Sequence, residues 1–198
     1  MSSLIHFLKN LFAASPGRET AIALYSGAVG QARQPAFFIH YKIPDTLDGR
    51  FDLVVLHLYL LLHRLSAIKP PCNDVQMILQ EAFFADLDRS MREIGVGDLA
   101  VGKHVKEMAS AYFGRLQAYD HALDSGDEAE LVDVLARNIY RGQLPSGDCM
   151  ERLASYVRRQ AAHLEAISDE DICAGRVHFL SPEFSETTKS RHEDDPRA

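Results

Sequence analysis

The residues from Pro44 to Ser66, PDTLDGRFDLVVLHLYLLLHRLS, constrain the fold more than any others, because nearly every position from Leu53 to Leu62 is apolar. A helix that is apolar on most sides has no face to offer water and must be covered by neighbours. A membrane span needs roughly 20 uninterrupted apolar residues, and Asp52, His57, His63 and Arg64 break this run. The stretch therefore predicts a central buried helix over about residues 48–66. Thr46 or Asp48 can cap its start, and Pro44 lies outside it.

Along this rod Arg50, His57 and Arg64 recur every seven positions, so they fall near one line that drifts only about 20° per heptad. Such a seam is satisfied by groups on a neighbouring helix, reaches the surface, or forms part of a recognition surface. His57 and His63 point to different faces, and neither has a cysteine or carboxylate at helical spacing to make a metal site.

The rest of the chain reads as helices separated by breakers. Leu4, Ile5, Phe7, Leu8, Leu11 and Phe12 make residues 1–16 a short amphipathic helix, which either docks on the domain or touches a membrane interface through residues 4–12. Ser15-Pro16-Gly17 breaks the chain, and Glu19–Ala32 continues as a helix carrying Ile22, Leu24, Tyr25 and Val29 at approximate helical spacing. Phe37 to Tyr41 reads as an extended connector, since no partner strand exists for it. After Pro70-Pro71, Asn73 or Asp74 opens a helix to Ile94, with Gly95 as its left-handed C-terminal residue. Val101–Ser125 is strongly amphipathic. Gly126 and Asp127 separate it from Glu128–Arg141, and Gly142 stops that helix. Pro145 and Ser146 open another helix, a short one starts at Ser168, and the chain becomes polar from about Gly175. The expected architecture is all-α: a single-domain bundle of about seven to eight helices over residues 17–175, followed by a loosely held polar tail over 176–198.

Composition narrows the function. A net charge of −7 and a pI near 5.7 oppose general nucleic-acid binding. Cys72, Cys149 and Cys173 are odd in number and in no metal spacing, so they read as small apolar fillers in a reducing compartment. No leader or spanning segment is visible, which leads us to expect a cytoplasmic protein without a cofactor.

The motif GDLAVGK, Gly97 to Lys103, matches the glycine and lysine spacing of a phosphate loop. That loop needs a preceding strand and a following Ser or Thr, whereas here a helix precedes it and His104 follows. A tight connection between two helices, with Asp98 as a cap and Lys103 exposed, is the better reading. Just upstream, Asp88 and Arg92 stand four apart and can pair along one helix face, and Asp86 or Asp88 could instead meet Arg50, His57 or Arg64 across helices. No sequence signature of a hydrolase, zincin, dithiol or dinucleotide site is present.

Two of these blocks, PDTLDGRFDLVVLHLYLLLHRL and FADLDRSMREIGVGDLAVGKHVKEMASAYFGR, occurring in this order, resemble the ubiquinol-cytochrome c chaperone family over roughly Gly30 to Leu164. The resemblance implies an all-α, non-enzymatic assembly factor for respiratory complex III. Its client would be newly made cytochrome b, with the ribosome or a small partner protein as further contacts, at the inner face of the cytoplasmic membrane. The family motifs fall here on Asp45, Gly49, Arg50, Asp52, His57 and Arg64 in the first block, and on Asp86, Asp88, Arg89, Arg92, Gly95, Gly97, Asp98, Gly102 and Lys103 in the second. By resemblance the client surface is expected near these positions. Of two mechanisms, apolar surface offered to client helices or an acidic clamp on basic client loops, the negative charge and the Asp-rich second block favour the clamp. The rival reading is a small-molecule or anion site built from Arg50, His57 and Arg64, which would require those three to converge on a concave pocket.

Overall fold

The structure, a computed structural model, describes residues 16–182 except 71, 94 and 96. The helix expected over 1–16 and the end of the tail, 183–198, lie outside the described residues. Among the described residues there are eight helices and no strand: α1 (Pro16–Ala32), α2 (Pro35–Ile39), α3 (Leu47–Ala67), α4 (Asn73–Glu93), α5 (Asp98–Asp124), α6 (Glu128–Asn138), α7 (Cys149–Ala166) and α8 (Asp169–Cys173).

Helix α3 is the axis of the bundle. The Thr46 side chain caps it by accepting from the Gly49 amide, which satisfies one of the donors a helix start leaves open. Leu53, Val55, Leu56, Leu58, Tyr59, Leu60, Leu61 and Leu65 are all buried, because α1, α4, α5 and α7 pack around this helix. Each such side chain withdrawn from water contributes about 1.5–3 kcal/mol, so the greasiest stretch sits where its burial stabilises most.

The neighbours reach it in ways dictated by side-chain size. Helix α1 lies against α3 and α4 along Ala21, Leu24, Ala28 and Ala32. Small alanines on this stripe let the backbones approach closely, and Ile22, off the stripe, is exposed. Pro16 and Gly17, expected as a break before the helix, form its first turn, where proline lacks no needed donor. Val75, Leu79, Phe83, Leu87 and Met91 give α4 a regular inward face, and Gly95 beyond it has φ +85°, the left-handed conformation that glycine adopts without a Cβ penalty. Gly126 (φ +72°) ends α5 the same way, whereas α6 stops at Asn138, short of the expected Arg141, and the left-handed residues Arg141 and Gly142 lie in the connection after it.

Three expectations are corrected. The Phe37–Tyr41 connector is not extended: Pro35 opens a single helical turn that drives Phe37 and Tyr41 into the core. Asp98 does not cap α5, since Gly97 holds the N-cap position and Asp98 is already helical. Finally, residues 176–182 are not loose. The Leu180 backbone is held at both ends by side chains: its N–H donates to Gln160 Oε1 at 3.1 Å, and its carbonyl accepts from Gln160 Nε2 and Gln31 Nε2, each at 2.7 Å. Pro182 is buried. This strap crosses from α8 over α7 and α1.

Candidate functional site

The predicted seam of Arg50, His57 and Arg64 divides into two environments. His57 and Arg64 face α7. His57 is fully buried, and its Nδ1–H donates to the Leu53 carbonyl at 2.7 Å, an acceptor only. Its Nε2 therefore accepts from the Tyr156 hydroxyl at 2.8 Å, and that hydroxyl accepts in turn from Gln31. Phe37, Tyr156 and Phe179 surround the imidazole edge-on. Burial pulls the His57 pKa down to about 4, against the Leu53 carbonyl, which favours the proton. This is a neutral core histidine in a closed network, with no acid–base partner.

Arg64 closes the end of α7. Its Nε donates to Leu164 O at 2.9 Å, and its terminal nitrogen donates to Ile167 O at 2.8 Å and to the Asp169 carboxylate. The last carbonyls of a helix have no partner of their own, and a guanidinium fork satisfies them well. The carboxylate that neutralises Arg64 is thus Asp169, not Asp86 or Asp88 as the interhelical reading supposed. Asp88 pairs locally with Arg92 at 2.8 Å, while Asp86 binds Arg89 and accepts from the Tyr25 hydroxyl at 2.8 Å. Helix α4 turns these two carboxylates away from Arg64.

Arg50 faces elsewhere. It is exposed, held by Asp45 at 2.7 Å, and stands 5.8 Å over the Phe38 ring. It borders a groove between α1, α3, α4 and α5 made of two adjoining concavities, about 480 and 270 Å³. They share Leu47, Phe51, Met91 and Met108 as a common apolar floor. The rim is charged with both signs: Asp48, Asp86, Glu93 and Glu107 against Arg33, Arg50, Arg115 and Arg141, with His104 at one end.

Beneath the rim lies Asp52, fully buried and held by Arg115 at 2.9 Å and Arg141 at 3.0 Å. Burial raises its pKa, and the hydrogen bond from Arg141 and the charges of Arg115 and Arg141 oppose that rise. Arg141 also reaches Asp48 at 2.7 Å, tying the α6–α7 connection to the start of α3. Of the other motif residues, Gly95 and Gly97 form the α4–α5 turn, Gly102 is an exposed helical position, and Lys103 is exposed beside Glu107 at 3.8 Å. Among the described residues no three His, Cys, Asp or Glu side chains gather as a metal site, and no helix is long and apolar enough to cross a membrane.

Of the sequence-predicted residues, the structure brings Arg50 and Asp86 to the groove, with Asp45 beside Arg50 and Asp52 below it. His57 and Arg64 lie on the opposite, α7-facing side, so the three seam residues do not converge on one pocket and the anion site loses its geometric basis. Sequence reasoning missed Leu47, which is exposed, and Met108, which is half-buried, as groove residues. It placed Met91 and Met108 inward by period; Met91 is buried beneath the groove, whereas Met108 stays partly open to it.

Comparison with known proteins follows the same region. The sequence profile of the family described as Ubiquinol-cytochrome C chaperone matches residues 39–179. The Mus musculus ubiquinol-cytochrome c reductase complex assembly factor 1 is 24% identical over 152 residues, 77% of this chain and 51% of that protein. The Saccharomyces cerevisiae protein CBP3, mitochondrial, is 25% identical over 150 residues, 74% of this chain and 44% of that protein. The chain thus spans about half the length of these curated relatives. The crystal structure of the Cbp3 homolog from Brucella abortus superposes with a TM-score of 0.76 at 33% identity, covering 92% of this chain and 98% of that one. The central helix, the Asp86–Lys103 block and the groove floor all fall inside the matched region, and the chain belongs to the ubiquinol-cytochrome C chaperone family.

Proposed function

We propose that this chain is an assembly chaperone for respiratory complex III that holds newly made cytochrome b by laying an apolar client segment along the groove floor of Leu47, Phe51, Met91 and Met108. The observation that carries the reading is this floor: two adjoining concavities share four apolar lining residues, with Leu47 and Met108 open to solvent and Phe51 and Met91 buried beneath them, all within the family-matched region. Methionine suits it, because an unbranched, polarisable side chain repacks around clients of differing shape. The relatives' names, complex assembly factors, agree with a binding role, and no catalytic step is assigned to any residue. Arg50, Asp86 and the Gly95–Lys103 turn would then border the bound segment rather than grip it.

A photo-crosslinking residue at position 108, in cells making tagged cytochrome b, tests the proposal. The expected result is a crosslink to cytochrome b, lost when Leu47→Asp places a charge at the exposed part of the floor. A crosslink confined to positions on the α7 side would overturn it. Salt separates the two binding modes: an apolar seat keeps its affinity from low to high ionic strength, whereas an acidic clamp on basic loops weakens strongly.

A further inference from the structure

Cys72 and Cys173, expected to be unrelated fillers, meet in the folded chain. Cys72 directly precedes α4 and Cys173 is the last residue of α8, and their Sγ atoms lie 2.8 Å apart although 101 residues separate them in sequence. Both are free thiols and both keep partial access to solvent. A disulfide requires an S–S separation of about 2.05 Å with the two Cβ atoms suitably close, so closure asks for a movement of under an ångström. The surroundings hold the pair in place: the Thr20 hydroxyl donates to the Cys173 carbonyl at 2.9 Å, and Gly175 packs directly on Thr20 and Ala23 of α1.

From this geometry we infer that Cys72 and Cys173 are a reversible oxidation site that closes into an intramolecular disulfide fastening the start of α4 to α8. The oxidant is a small-molecule or protein disulfide. The first cysteine, as thiolate, attacks one sulfur of the oxidant and releases one thiol. The second cysteine then displaces the other half from the mixed disulfide. Two thiols become one disulfide, the oxidant's S–S bond becomes two thiols, and the two protons and two electrons pass to it. Burial, reinforced by the neighbouring Cys173, pushes the Cys72 thiol up to about 11, so thiolate is scarce and the pair is guarded against rapid adventitious exchange. The third cysteine is an internal control. Cys149 is buried, with its Sγ toward the carbonyls of His40 and Ser146, far from any other thiol.

The bond would close a loop of about a hundred residues, the case in which a crosslink restricts the unfolded chain most. The test treats the full chain with oxidised glutathione, quenches with an alkylating agent, and maps peptides by mass spectrometry. The expected product joins the Cys72 and Cys173 peptides, lighter by two hydrogens, with Cys149 reduced and the chain monomeric. The midpoint of thermal unfolding rises by roughly 5–10 °C and returns on reduction. Cys72→Ser should abolish the linked peptide and leave a glutathione adduct on Cys173. Glutathione adducts on both cysteines of the wild-type chain, or a bond between chains, would overturn the inference. Mapping is done on the wild type, so a poorly folding variant leaves the outcome decided.

Discussion

The Nε of Arg141 lies 3.0 Å from Oδ2 of Asp52, a carboxylate without accessible surface, across 89 residues of sequence. Arg141 adopts φ +50° to do this, a left-handed conformation that costs a non-glycine residue about 1 kcal/mol. The ion pair and its second arm to Asp48 offset that cost, and they fix the α6–α7 connection against the mouth of the groove.

Replacing Arg141 by alanine should therefore destabilise by about 1–2 kcal/mol, less than a fully buried pair because Arg115 still faces Asp52. The pH dependence gives a sharper check. Burial already raises the Asp52 pKa above 3.8, so its contribution to stability is fully present below 3.8 and is lost as pH rises through the folded value. Losing Arg141 raises that folded value further. Urea unfolding at a series of pH values should show the variant falling further behind wild type as pH rises from 4 to 7; a constant gap would mean Asp52 does not feel Arg141.

His57 acts with the opposite sign. Its folded pKa, about 4, lies below its ordinary 6.5, so its contribution is complete above 6.5 and is lost as pH falls toward 4. The shift corresponds to about 3 kcal/mol. Thermal unfolding between pH 4 and 7 should be less pH-dependent in His57→Gln than in wild type, though the variant is weaker at neutral pH. Parallel curves would show that the imidazole titrates while folded.

Arg64 and Asp169 are an unequal pair. Arg64→Ala removes the hydrogen bonds to Leu164 O, Ile167 O and Asp169, leaves Leu164 O only the 3.3 Å bond from the Ile167 N–H, and should cost about 2–4 kcal/mol. Asp169 is 58% exposed, and Asp169→Ala should cost under about 1 kcal/mol. A double-mutant cycle between Arg64 and Asp88 should give coupling near zero, measured by denaturant midpoints.

Two glycines make a matched test. A Cβ on Gly49 would meet the Pro44 carbonyl oxygen at 2.1 Å, backbone that cannot yield, so Gly49→Ala should lose about 1–3 kcal/mol. Gly114, exposed within α5, has nothing within 4 Å of its added methyl. Gly114→Ala should gain about 0.5–1 kcal/mol from helix propensity. Equal effects at the two sites would contradict the close approach at Gly49.

Local chemistry was legible in the sequence and distant chemistry was not. The central helix, expected over about 48–66, spans Leu47–Ala67, because an apolar run and a threonine cap are short-range signals. Gly95 and Gly126 marked helix ends for the same reason, while Gly142 lies four residues beyond the end of its helix. The partners of Asp52, Arg64 and Cys72 lie 63–105 residues away in sequence, and nothing in spacing encodes such distances. Tyr156 looked like one more periodic core residue, and only the folded bundle turns its hydroxyl toward His57. The groove was invisible for a related reason: periodicity tells which way Met91 and Met108 point, while coverage depends on how far the helices stand apart.

The strap at Leu180 changes what counts as the edge of the domain. Gln31 and Gln160 are buried amides with few alternatives, and a chain cut after Gly175 would leave them facing a dry interior without the peptide group they were placed to meet. A recombinant fragment meant to keep the bundle intact should accordingly stop no earlier than Pro182, since seven residues of unremarkable composition complete the interior polar lattice of two helices, one 20 and the other 149 positions upstream.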